Sequence, residues 1–168
     1  MKPEEILESV KQKISEKISS DAILESSLPY NFPTLIIHSR YIHDVLSLLK
    51  NDKDLNFHFL TDLTGIQTPD EKQLGVIYHL HNMPNNIRIR VKTFVDINKP
   101  EVPTATDLWD GANWMERETF DFFGIKFMGH PNLRRILNAD EMDIFPLRKE
   151  FPLEDQTRDD KNDSMFGR

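Results

Sequence analysis

The chain has 168 residues, 38% hydrophobic and 29% charged, with 21 basic against 28 acidic side chains and a net charge of −7. That length suits one compact domain with an appendage, able to bury roughly two-thirds of its unfolded surface. The acidic balance argues against a nucleic-acid binder, which needs a basic face, and no run approaches the ~18 apolar residues of a membrane span. Cysteine is absent, which excludes a disulfide framework, a thiol nucleophile, a zinc ribbon and thiolate ligation of an iron–sulfur cluster within these residues. The N-terminal Met1-Lys2-Pro3-Glu4-Glu5 lacks the basic start and apolar stretch of a signal peptide and is too acidic for a transit peptide, so neither is expected.

In chain order, Leu7, Val10, Ile14 and Ile18 recur at helical spacing after Pro3 and predict a one-sided first helix. Leu28-Pro29 and Phe32-Pro33 then break helical geometry. Residues 34–38 read as a short strand, and Ile42, Val45, Leu46 and Leu49 as the apolar stripe of a second helix over 41–50. Strand-like runs follow at 55–66, 74–82 and 87–95, the last two joined by the turn formers of 83–86. In the last run Ile87, Ile89 and Val91 alternate with Arg88, Arg90 and Lys92, the mark of an antiparallel sheet with one face buried and one wet. The predicted class is α+β: helices packed on one face of a small, mainly antiparallel sheet, followed by a helix and an extended C-terminal strap.

Residues 99–103 read as a linker into a third helix, with Thr104 and Asp107 as its capping box and Gly124 as its left-handed stop. Leu108, Ala112, Met115, Thr119 and Phe122 form one stripe of that helix. Trp114, Arg117, Glu118 and Asp121 form a second, with Phe120 and Phe123 on a third side. A helix with that many apolar sides needs more cover than one small sheet supplies. From His130 to Asp155 neither helical nor strand period persists, prolines stand at 131, 146 and 152, and nine large apolar residues are interspersed with arginines. Fully extended, this strap would reach on the order of 85 Å at ~3.3 Å per residue. Such composition suits a segment lying in a groove of another protein, with Arg134, Arg135 and Arg148 gripping partner carboxylates; the alternative is a strap wrapping its own domain. The organisation is then 1–98 as the α+β domain, 99–128 as linker, motif helix and short strand, 129–155 as partner-binding strap, and 156–168 as a polar, disordered tail.

Three linked motifs carry a family resemblance. Glu116-Arg117-Glu118-Thr119-Phe120-Asp121-Phe122-Phe123-Gly124-Ile125 is the first, and Gly129-His130-Pro131-Asn132-Leu133-Arg134-Arg135-Ile136-Leu137 the second. The third is Pro146-Leu147-Arg148-Lys149-Glu150-Phe151-Pro152-Leu153. Together they resemble the C subunit of NADH–quinone oxidoreductase, respiratory complex I, densely over 103–153. Phe120, and Met142-Asp143-Ile144, depart from the family pattern. The resemblance implies a non-redox, peripheral-arm subunit of a proton-translocating enzyme, not fused to the D subunit. Its strap would clamp the large D subunit of the quinone site, and its α+β domain would dock on the iron–sulfur B and I subunits. It implies no cofactor and no catalytic residue in this chain, FMN and iron–sulfur clusters belonging to partner subunits. Membrane association would come only through the complex, on the cytoplasmic side of a bacterial plasma membrane. Interface residues implied are Trp114, Glu116, Arg117, Glu118, Asp121, His130, Arg134, Arg135, Pro146, Leu147, Arg148, Lys149 and Phe151.

Other readings compete. An equivalent subunit of a membrane-bound energy-converting hydrogenase or related dehydrogenase would share these motifs. A standalone metal enzyme would draw on His79 and His81, on one strand face, with His58 nearby. Glu116, Glu118 and Asp121 offer carboxylates for acid–base work, but no nucleophile accompanies them. The six glycines, at 65, 75, 111, 124, 129 and 167, form no dinucleotide-binding fingerprint.

Overall fold

The computed structural model describes residues 2–151. The last strap residues, including Pro152 and Leu153, and the polar tail 156–168 lie outside the described residues.

The first helix, α1 (Pro3–Lys17), buries Ile6, Leu7, Val10 and Ile14 and turns its Glu and Lys residues outward. Pro3 stands in its first turn, where a missing N–H costs nothing. Then come β1 (Ile23–Ser27), β2 (Thr34–Ile37) and α2 (Ile42–Asn51), whose buried stripe is Ile42, Val45, Leu46 and Leu49. The long strands are β3 (Phe59–Gln67), β4 (Gln73–Asn82) and β5 (Ile87–Asp96). A short β6 (Glu101–Pro103), the motif helix α3 (Ala112–Phe123) and β7 (Lys126–Met128) complete the described elements.

The main sheet runs β1-β2-β5-β4-β3, antiparallel except for the β2–β5 pair. On its inner face Val76, Tyr78 and Leu80 of β4 stand between Gly65, Leu63 and Leu60 of β3 and Thr93, Val91 and Ile89 of β5. Their apolar members, from Leu60 and Leu63 to Ile89 and Val91, join α1 and α2 in one core. Burying each large aliphatic side chain contributes roughly 1.5–3 kcal/mol. The third helix closes on the same face at β3. A Cβ on Gly65 would stand 2.6 Å from the Phe123 ring and 3.0 Å from the Thr119 methyl, so only glycine admits α3 this closely. Among the described residues no helix is long and apolar enough to cross a membrane.

The α+β class with a mainly antiparallel sheet is the observed architecture. Three local expectations are corrected. The sheet has five strands: β1 pairs with β2 at one edge, and with Leu24 and Glu25 both exposed it lacks clean alternation. Residues 101–103 of the supposed linker form β6, paired in parallel with β7. The third helix starts at Ala112, because the groups meant to cap an earlier start are taken elsewhere. Thr104 Oγ1 and the Ala105 N–H both donate to the Glu116 carboxylate, and Asp107 pairs with His43. The intervening turn seats Trp109, whose Nε1 donates to the His58 carbonyl at 3.1 Å, and the Leu108 carbonyl accepts from Lys50 Nζ.

Candidate functional site

The three sequence motifs meet in space as a clasp closed over α3. Residues 129–151 carry neither helix nor strand, yet they are folded back onto the helix. The centre of the clasp is Asp121, fully buried on α3. Its Oδ2 accepts three successive amides, from Ile136 at 3.1 Å, Leu137 at 2.8 Å and Asn138 at 2.9 Å. Its Oδ1 accepts Arg135 Nη1 at 2.8 Å. Burial alone would raise this carboxyl, but the Asn138 and Leu137 amides and the Arg135 guanidinium hold it well below the usual carboxylate range.

One turn earlier, Arg117 donates from Nε to the Arg134 carbonyl at 3.2 Å and from Nη2 to the Arg135 carbonyl at 3.0 Å. Arg135 in turn donates from Nη2 to the carbonyls of Met142 and Ile144. The 142–144 departure from the family pattern therefore keeps a backbone role that many side chains can serve.

The strap also completes the end of the helix. The last carbonyls of an α-helix lack partners within it. Here Gly124 N–H donates to Phe120 O, Arg135 Nη1 to Asp121 O, Leu147 N–H to Phe122 O and Arg148 Nε to Phe123 O. Gly124 has φ +73°, and a Cβ there would stand 2.6 Å from Phe145 and 2.8 Å from Arg148. Phe145 lies between the guanidiniums of Arg135 and Arg148, 5.1 and 4.8 Å from its ring centre, with Phe120 edge-on at 6.2 Å.

Glu116 occupies a separate buried place. Thr104 Oγ1 and the Ala105 N–H each reach it at 2.6 Å. Burial pushes this carboxyl up to about 7, against the pull of those two donors and with a push from Asp107. It also raises the fully buried Tyr78 hydroxyl, for which desolvation is the larger cause.

The predicted interface residues divide sharply. Glu116, Arg117 and Asp121 are buried, and the Arg135 and Arg148 side chains are nearly so. The expectation that Arg135 grips a partner's carboxylate is corrected, since both of its terminal nitrogens are taken by Asp121 and by backbone carbonyls of this chain; Arg148 donates from Nε to Phe123 O, with Glu150 3.6 Å from its Nη1. His130 is half-buried; its Nδ1 accepts the Asn132 N–H, so Nε2 carries the proton and donates to Asn113 O. Pro146 and Phe151 are half-buried. Trp114, Glu118, Arg134, Leu147 and Lys149 are exposed, Trp114 to 60% although it lies against Arg117. Lys149 is held by its backbone N–H, which donates to Gln67 Oε1 at 2.7 Å. Leu137, 66% exposed, and Ile144 are further exposed apolar side chains of the strap.

Sequence reasoning missed Gln67 and Asn113, which hold the strap through single side-chain or backbone atoms and leave no pattern in the sequence, and it gave Thr104 a capping role where the structure has it hold Glu116. Of the enzyme candidates, Glu116 and Asp121 point to different internal partners while Glu118 is exposed, so the three carboxylates do not converge. His79 accepts from Arg90 Nε at 2.9 Å, and His58 Nδ1 lies 3.1 Å from the Asn56 carbonyl. Among the described residues no group of three or more His, Asp or Glu is arranged to hold a metal ion.

Residues 35–157 match the family model described as respiratory-chain NADH dehydrogenase, 30 Kd subunit. The chain belongs to that family. It is 44% identical over 134 residues to the C subunit of NADH-quinone oxidoreductase from Roseiflexus sp. (strain RS-1), covering 79% of this chain and 77% of that one. It is 42% identical over 151 residues to the same-named protein of Brucella abortus (strain 2308), covering 89% and 74%. Two solved structures share the fold. One is a chain of the membrane-bound sulfane sulfur reductase, an archaeal respiratory membrane complex, with TM-score 0.71, 28% identity and coverage of 87% and 85%. The other is a trypsin-resistant fragment of Nqo5, with TM-score 0.62, 27% identity and coverage of 79% and 100%.

Proposed function

We propose that this member of the family is a non-redox, peripheral-arm subunit of a proton-translocating NADH:quinone oxidoreductase. It stabilises the arm by clamping the large D subunit of the quinone site and docks on the iron–sulfur B and I subunits. The observation that carries this reading is the partition of the motif residues. The charged members close a clasp within the chain, and the clasp holds Trp114, Leu137, Ile144 and Leu147 in the open, where they serve as apolar plugs. Four large exposed apolar side chains and the exposed charges of Glu118, Arg134 and Lys149, all on the motif helix and strap, have the composition of an interface. The chain itself supplies no catalytic residue; FMN and iron–sulfur clusters sit in partner subunits, in keeping with the lack of thiolate ligands here. Its membrane association runs through the complex, on the cytoplasmic side of a bacterial plasma membrane.

A second reading is supported by the sulfane sulfur reductase chain, which shares the fold at 28% identity. On it, this chain is the equivalent subunit of a related membrane-bound complex with another electron donor or acceptor. A tagged copy purified from gently solubilised membranes separates the two. An iron-rich assembly that reduces quinone with NADH supports the first reading, and the same assembly driven by hydrogen or a sulfur substrate supports the second. A lone chain without iron contradicts both.

A further inference from the structure

Opposite the core, the sheet has an outer face left uncovered by α1, α2 and α3. By register it carries Asp62 and Thr64 of β3, Ile77, His79 and His81 of β4, and Arg88, Arg90, Lys92 and Phe94 of β5; His81 is buried at its end, Arg88 is exposed, and Arg90 and Lys92 are half-buried. Three cations on adjacent same-face positions of one strand are out of character for a chain of net charge −7. Among the described residues none of the three has a carboxylate within ion-pair distance. Like charges on one face repel, and the carboxylate that shares the face, Asp62, is separated from Arg90 by His79 in register.

This face is also pre-arranged. Phe32, from the loop before β2, lies over the Arg90 guanidinium at 5.0 Å, with its ring 5.9 Å from that of His79. Arg90 Nε donates to His79 Nε2 at 2.9 Å, which uses one of the guanidinium's five donors and fixes its place on the face. In the same loop Tyr30 and Asn31 both take positive φ, +54° and +62°, and Tyr30 is fully exposed. A non-glycine residue held at positive φ costs of order 1–3 kcal/mol, and here that conformation displays an uncovered tyrosine at the border of the cationic face.

We infer that the outer face of β4 and β5, with the Tyr30–Phe32 loop at its border, is a second docking surface, and that its occupant is an acidic segment of another protein subunit of the same assembly. Arg88, Arg90 and Lys92 match carboxylates, Phe32 and Tyr30 supply aromatic contact, and the clasp over α3 is left free for its own partner. A polyanionic nucleic acid is disfavoured by the chain's overall charge. The inference rests on the chain working inside a multi-subunit complex, as proposed above.

The absence of native cysteine makes the test clean. In a Lys92→Cys chain, maleimide labelling is compared between the free full-length protein and the solubilised assembly. The inference predicts fast labelling when free and at least about tenfold slower labelling in the assembly, the degree of cover a specific interface gives. In the unmodified assembly, carbodiimide should join Lys92 to an Asp or Glu of another subunit, and Lys92→Arg should abolish that cross-link while retaining assembly. The double variant Arg90→Glu, Lys92→Glu, verified as folded by its melting curve, should be retained about tenfold less, most visibly at low salt. Equal labelling of Lys92→Cys in both states overturns the inference while leaving the subunit role intact. So does protection that vanishes on delipidation, with binding of the free chain to phosphatidylglycerol vesicles, since the occupant is then a membrane surface. A chain that never co-purifies with the assembly removes both this inference and the subunit reading.

Discussion

Asp121 and Arg135 form a buried ion pair, Nη1 to Oδ1 at 2.8 Å, with 0% and 9% of their side chains exposed. The pair joins the last turn of α3 to the loop that follows β7, and three consecutive amides complete the carboxylate's shell. Removing one partner of such a pair strands the other, which costs more than the pair itself contributes. Asp121→Ala should therefore lower stability by ~3–5 kcal/mol in urea unfolding, and Arg135→Ala should behave alike. Asp121→Asn should lie between them and wild type, since one amide oxygen still accepts backbone N–H groups.

The same carboxylate sets an acid limit. Its folded value is held below its ordinary 3.8, so its contribution is present above that value and disappears as pH falls through the folded one. Asp52, held down by Lys13, Lys17 and the Asp54 and Leu55 amides against its own burial, acts in the same direction. Melting temperature should thus fall steeply below pH 4, and in Asp121→Asn that fall should be shallower.

Glu116 works with the opposite sign. Its folded value is raised from 4.5 to about 7, so its stabilising contribution is full below pH 4.5 and is lost as pH rises to about 7. The loss amounts to ~3 kcal/mol between those limits. Glu116→Gln, which keeps an acceptor for Ala105 and a partner for Thr104, should flatten that slope and be more stable than wild type at pH 8. Chemical denaturation across pH 5–8 checks both.

Two glycines should respond in opposite ways. Gly124→Ala meets a positive φ together with Phe145 and Arg148, and should cost about 1–3 kcal/mol. Gly111, with φ −62° and open space where its Cβ would stand, should gain about 0.4–1 kcal/mol as alanine. Paired melting curves decide.

Much of the fold was legible because its core is written in strong periods. The α2 stripe and the alternation of β5 need only local rules, and both appear in the structure. The edge strand β1 was not legible, since one strand on one side gives it little to bury. The start of α3 was misplaced because Thr104 and Asp107 look like a cap locally, while Glu116, twelve residues beyond Thr104, takes its hydroxyl. For the site, motif spacing singles out Asp121, Arg117 and Arg135 without saying what they touch. An arginine that grips a partner and one that grips its own chain have the same sequence. Only the positions of Ile136 to Asn138 against α3 decide between them.

If the clasp exists to present a surface, its exposed members should matter for assembly and hardly for folding. Trp114→Ala and Leu147→Ala should each shift stability by less than about 1 kcal/mol, as exposed substitutions do. In the assembled complex Trp114→Ala should cost at least ~2 kcal/mol of binding, as an aromatic anchor does. Melting of the free chain, set beside its retention by the membrane assembly, separates the two effects.

The most direct measurement is hydrogen exchange at the amides of Ile136, Leu137 and Asn138 in the isolated full-length chain. If the clasp is a property of this chain, these three amides are protected before any partner binds, and Asp121→Ala, which removes their acceptor, releases them together. Fast exchange at all three in the wild-type chain, with protection only in the assembly, would mean that the partner folds the loop and that the clasp is not intrinsic to this chain.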